Sequence, residues 1–279
     1  MQKIDKSKDD TLAKKLIDGF LNQSKTVSGE YVNVGYNQFR NVKDSNGEKY
    51  IQTFEQILRQ NQNNYCCYCM RCIDSESVTL EHIIPQKTKS NADFDAYINF
   101  NLPFLNSNNV VFKKNFNKTS VPPYPHDISY DNLVVSCDGT FWNNTSRSCN
   151  HKREDNFIYP LFYDANVMSK IKYEKDGRAL PIYNNSTSKN EQEGLFFLCT
   201  CINCEELREI RKIWFQFSQT KYDISHIQKL STEPEYGCFL NKVLVCDDKD
   251  RIRDTYRKPR YWDKLMKYSW FLEYFRTTP

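Results

Sequence analysis

At 279 residues the chain has room for one large domain or two modest ones. Hydrophobic residues make up 39% and aromatics 14%, with only 8 glycines, a balance that supports a packed core and excludes a disordered or simple-repeat chain. The net charge of +4 excludes a global polycation field, so any nucleic-acid surface has to come from local clustering.

Met1-Gln2-Lys3-Ile4-Asp5-Lys6 runs straight into charge without the apolar segment of a signal peptide, and no apolar run reaches the roughly 20 residues needed to cross a bilayer. A cytoplasmic setting is expected, in which metal thiolates are favoured over disulfides for cysteines at suitable spacing. Residues 8–24 predict a helix, with Asp9, Asp10 and Thr11 at its start and Leu12, Leu16, Ile17, Phe20 and Leu21 on one face. Residues 29–47 predict loop with a strand. Tyr50, Phe54, Ile57 and Leu58 mark a second helix that delivers the chain to Cys66-Cys67-Tyr68-Cys69, where Cys66 and Cys69 have the spacing of a zinc knuckle.

Val78 to Pro85 reads as a short strand ended by proline. At its exit Glu81, a hard oxygen ligand, stands beside His82, the side chain best suited to proton transfer near neutral pH. Residues 86–129 are too long for a plain connector and are expected to pack on the core or touch substrate. Tyr130-Asp131-Asn132-Leu133-Val134-Val135-Ser136-Cys137 predicts a second strand, and Cys149-Asn150-His151-Lys152-Arg153-Glu154 the start of a helix.

Phe157 to Phe162, Ile171 to Tyr173 and Ala179 to Ile182 predict further strands, with Lys175-Asp176-Gly177 as a hairpin turn. The polar run 184–190 is the best boundary; with a second division ahead of the knuckle at residue 60, the chain divides into 1–59, 60–190 and 191–279. Beyond it the chain reads as helical: Leu207, Ile210, Trp214 and Phe217 share a face, 239–245 is apolar, and 262–275 is a final aromatic helix. Cys201-Ile202-Asn203-Cys204, with Cys199, reads either as core or as a second knuckle using Cys238 or Cys246. The basic run Arg251, Arg253, Arg257, Lys258, Arg260, Lys264 and Lys267, interleaved with Tyr256, Tyr261, Trp262 and Tyr268, suits a phosphate backbone, a solvated helix face over an aromatic core, or a docking surface.

The stretches Gln60 to Cys72, Leu80 to Pro85 and Asp131 to Lys152 together resemble HNH endonucleases of the zinc-braced ββα-metal type. More narrowly, they resemble the PtuB-like HNH effectors of Septu and retron-associated anti-phage defence. The resemblance implies an α+β fold with a ββα-metal core flanked by helical regions, and metal-dependent hydrolysis of phosphodiester bonds in DNA or RNA. It makes His82 the general base and Asn132 the amide that ties its loop to the His82 strand. Glu81 and Asn150 become ligands of a catalytic magnesium or manganese, with His151 as the rival to Asn150. Cys66, Cys69, Cys137 and Cys149 become the structural zinc site, although the eleven residues 138–148 replace the usual tight second pair; Cys67 and Cys72 are alternatives or small core residues. Lys152, Arg153, Arg257, Lys258 and Arg260 are the expected nucleic-acid contacts. The implied partners are a PtuA-like ABC- or SMC-type ATPase and, in retron settings, a reverse transcriptase with its nucleic acid. A zinc-stabilised binding module without catalysis and a stand-alone nuclease toxin are the competing readings.

Overall fold

The computed structural model of the protein describes residues 1–7, 10–74, 78–141, 147–182, 194–230 and 259–278. They form an α+β arrangement in which short helices surround small two-stranded sheets. Helix α1 (Asp10–Gln23) buries Ala13, Ile17, Phe20 and Leu21 on one face; of the face expected from the spacing, Leu16 is half-buried and Leu12 is exposed. Helix α2 (Tyr36–Asn41) stands where loop and strand were expected. One buried aromatic, Phe39, anchors it, and so short a segment carries no readable period. Helix α3 (Tyr50–Asn61) buries Tyr50, Phe54, Ile57 and Leu58. Phe39 links the two longer helices, edge-on to Phe20 at 5.2 Å and to Phe54 at 5.3 Å between ring centroids.

At the centre lie β1 (Val78–His82) and β2 (Leu133–Cys137), antiparallel, with Val78 opposite Cys137 and His82 opposite Leu133. Every β2 residue is buried. Two strands alone are marginal in water, and here a side chain completes the outer edge of β2. Gln62 accepts from the Val135 N–H at 2.8 Å and donates to the Val135 carbonyl at 2.8 Å, imitating a third strand. The long connection between β1 and β2 packs on the core, as expected. It contains α4 (Asn91–Ile98), capped by Ser90, and it buries Phe94, Tyr97, Leu102, Leu105, Val110, Phe112, Tyr124 and Ile128.

After β2 comes one helical turn, α5 (Asn150–Arg153). The strand expected over 157–162 is instead buried irregular chain leading into the 3-10 turn Leu161–Tyr163. A continuous apolar run fits either state, and Pro160 removes a ladder donor. The hairpin β3 (Ile171–Tyr173) and β4 (Ala179–Pro181) forms as predicted. Helix α6 (Glu205–Ser218) buries Leu207, Ile210, Trp214 and Phe217 and is followed by α7 (Ile224–Leu230).

The single aromatic helix expected over 262–275 is two, α8 (Pro259–Met266) and α9 (Trp270–Thr277). They are separated where the Lys267 carbonyl accepts from the Cys72 N–H at 2.7 Å. Tyr261, Trp262 and Tyr268 are core residues, so these aromatics are not a stacking surface for bases. The proposed boundary at 184–190 and the apolar run 239–245 lie outside the described residues. No described helix is long and apolar enough to cross a membrane.

Candidate metal centre and candidate active site

The side-chain sulfurs of Cys66, Cys69, Cys137 and Cys149 lie within 4.8 Å of one another, and all four residues are buried. Neighbouring sulfurs are 3.7 to 3.8 Å apart. A Zn–S bond of about 2.3 Å gives a tetrahedron with edges of about 3.8 Å, so the four thiols fit zinc. The Cys66–Cys69 turn is closed by Met70 N–H donating to the Cys66 carbonyl at 3.2 Å.

The departure from a tight second pair is absorbed by a fold-back. Ser148 N–H donates to the Gly139 carbonyl at 3.1 Å, and Thr140 bridges Arg147, so Cys137 and Cys149 return to one point. Gly139 has φ +63°, and a Cβ there would meet the Ser148 carbonyl oxygen at 2.3 Å. Burial pushes the Cys69 and Cys149 thiols well above their usual range, reinforced by neighbouring sulfurs. Burial also opposes ionisation of Cys66, but its hydrogen bonding with the neighbouring Cys137 and Cys149 sulfurs holds it well below its usual value. A divalent cation lets all four deprotonate together. Cys67 and Cys72 lie outside the cluster, while the Tyr268 hydroxyl touches Cys69 Sγ at 3.9 Å.

At the other end of the strand pair stand His82 and Asn132. Asn132 is fully buried and its side chain is fully used: Oδ1 accepts from Ile84 N–H at 2.7 Å, and Nδ2 donates to the carbonyls of Ile84 at 3.0 Å and His126 at 2.7 Å. It therefore ties the turn before β2 to the exit of β1. Lys6 supports the same turn by donating to the carbonyls of Tyr130, at 2.9 Å, and Leu133.

His82 Nε2 lies 2.9 Å from the Asp127 carbonyl oxygen. A carbonyl only accepts, so Nε2 carries the proton and the Nδ1 lone pair is free to take another. The Tyr36 ring sits edge-on to the imidazole at 4.6 Å. Burial pushes the imidazole down to about 4, partly opposed by the Asp127 carbonyl and assisted by the Arg153 and Lys113 charges. It is therefore neutral at pH 7. His126, Asp127 and Lys6 escaped the reading of the sequence; in a chain with only 4 histidines, a second one inside the long connection was the available signal.

Glu81 departs from expectation. Successive strand residues face opposite ways, and the Glu81 carboxylate turns into the core against Arg153, which is itself fully buried. Arg153 also donates to the His82 and Ile83 carbonyls, each at 2.5 Å. Burial pushes the Glu81 carboxyl up to about 7, against the pull of the guanidinium. Arg153 is thus an internal clasp between β1 and α5 and not a contact for nucleic acid. Asn150 is half-buried at the head of α5; His151 and Lys152 are exposed beside it. Among the described residues the four cysteines are the one convergent group of Cys, His, Asp or Glu ligands. The magnesium or manganese expected at Glu81 and Asn150 does not fit Glu81 in this arrangement. Arg257 and Lys258 lie outside the described residues, as does the Arg260 side chain.

A cleft of about 660 Å³ opens beside the β1 exit, lined by Pro85, Lys87, Lys89, Tyr97, Asp155 and Phe157 among others. The Asp155 carboxylate on the cleft wall exerts a weak favourable pull on the charged form of His82, which itself does not line the cleft. No family model, no curated protein and no solved structure matches the chain.

Proposed function

We propose that the protein is an HNH-type endonuclease hydrolysing phosphodiester bonds in DNA or RNA. One observation carries the reading: a neutral imidazole at the end of β1 has one nitrogen fixed by a backbone carbonyl and the other free, beside an asparagine that bridges both strands. General-base hydrolysis needs this of its acceptor. The chain's own residues divide the work. His82 Nδ1 takes the proton of the attacking water. Asn132 and the Asp127 carbonyl hold the ring's loop and tautomer. Lys87 and Lys89 attract the phosphate backbone into the cleft. A catalytic divalent cation would stabilise charge on the phosphoryl oxygens; since Glu81 is committed to Arg153, no step is assigned to such an ion.

By resemblance, the protein serves anti-phage defence as the effector of an ABC- or SMC-type ATPase. The exposed basic residues Lys152, Lys87 and Lys89 support a nucleic-acid substrate. The Glu81–Arg153 pair favours a second reading, a zinc-stabilised nucleic-acid-binding module without catalysis. The deciding experiment purifies the chain alone and with the product of its neighbouring gene, then incubates each with plasmid DNA and total tRNA, with and without magnesium or manganese. Cleavage abolished by His82→Ala supports the nuclease; tight binding with no cleavage under any of these conditions supports the module.

A further inference from the structure

We propose that Cys201 and Cys204 form a reactive dithiol that exchanges with low-molecular-weight disulfides and closes to a protein disulfide. The pair has C-x-x-C spacing and is separate from the tetrathiolate. Cys204 N–H donates to the Cys201 carbonyl at 3.0 Å, a turn that keeps the two Cα atoms within about 7 Å, near the upper end of disulfide reach. Both are free thiols, and neither is in a disulfide. Both are partly exposed, whereas the four zinc-site cysteines are buried.

The frame around the pair is fixed. Asn203 accepts from Ala179 N–H at 2.7 Å and donates to the Ala179 carbonyl at 2.8 Å. Arg211, buried beneath the loop, donates to the Ile202 carbonyl. The two sulfurs are unequal. The neighbouring Cys204 thiol holds Cys201 down to about 6, with help from the Lys152 charge, while the Cys201 thiol and burial push Cys204 far up. One sulfur is therefore the nucleophile and the other the resolving thiol.

The exchange balances without a metal. The Cys201 thiolate attacks one sulfur of a disulfide RSSR; the S–S bond breaks and RS⁻ leaves, taking up a proton. Cys204 then loses its proton as its sulfur attacks Cys201 Sγ and expels the second RS⁻. The protein dithiol is oxidised by two electrons, and RSSR is reduced to two RSH. The loop also touches the candidate site, because the Thr200 carbonyl accepts from Cys149 N–H at 2.8 Å.

The test treats the full-length, zinc-loaded protein with oxidised glutathione near pH 7.5 and maps its thiols by mass spectrometry. The expected product is a Cys201–Cys204 disulfide with zinc retained. Cys204→Ser should trap one glutathionyl adduct at Cys201, and Cys201→Ser should yield neither product at this pair. Both variants should retain the parent's circular dichroism. Oxidation at another pair first, or both thiols left unmodified, overturns the proposal. So does a second zinc per chain that the Cys201→Ser/Cys204→Ser double variant loses, since the pair is then a metal half-site.

Discussion

His82 acts as a proton acceptor only while neutral, and burial sets that condition at about 4 rather than at the 6.5 of a solvated imidazole. Protonation occurs as pH falls through the folded-state value. Activity that depends on His82 should therefore persist down to about pH 5 and fall away near 4, followed as cleavage rate against pH with circular dichroism checking the fold. An acid limb at 6.5 would mean that the ring is solvated. His82→Ala should lower the rate by about a hundred- to ten-thousand-fold. Asn132 fails differently, because its amide satisfies three buried backbone groups. Asn132→Ala should cost about 3 kcal/mol of stability by denaturant unfolding, from groups left without partners. Glu81 shows the limit of residue-level reading. Its chemistry suits a metal, yet its face of the strand decided its partner, and no property of the neighbouring residues announced Arg153.

Elements decide whether the ligands meet. The fold-back of 138–148 brings Cys137 to Cys149 only because Gly139 adopts a left-handed φ against the Ser148 carbonyl. Gly139→Ala should cost about 2 kcal/mol or more from backbone strain and collision. It should also weaken zinc retention, read as a lower Tm and faster loss of zinc to a chelator. A Gly139→Ala protein with the parent's Tm and zinc content would show that the fold-back does not hold the second pair. The short α5 is likewise fixed from outside, by Arg153 reaching the carbonyls at the end of β1. A four-residue helix has no stability of its own.

Across the whole molecule, the four-cysteine cluster sits where the C-terminal helices meet the knuckle. Tyr268 touches Cys69, the Lys267 carbonyl accepts from Cys72, and Trp214 donates to the Leu265 carbonyl at 3.1 Å. Removing residues 191–279 should therefore give insoluble protein, by exposing this core as well as removing any docking surface. A soluble, zinc-bound 1–190 fragment would contradict that. A tetrathiolate zinc contributes about 10–16 kcal/mol of apparent binding energy, more than a typical domain's net stability. Stripping zinc, or Cys66→Ser, should unfold the part of the chain built around β1 and β2, measured by circular dichroism after chelation; a chelated protein with an unchanged spectrum would show that the cluster is not structural.

The sequence by itself determined the helices whose apolar spacing is long enough to read, the two central strands and the C-x-x-C spacing of Cys66 and Cys69. Each rests on local periodicity or on a side chain whose chemistry has few alternatives. Only the tertiary structure decided that Glu81 faces Arg153, that α2 is a helix, that the final aromatic helix is two, and that the Asp127 carbonyl meets the imidazole. Those outcomes depend on which distant groups arrive at a buried point. Burial makes an unmatched charge or backbone group costly, so the available partner, and not the local pattern, fixes the result.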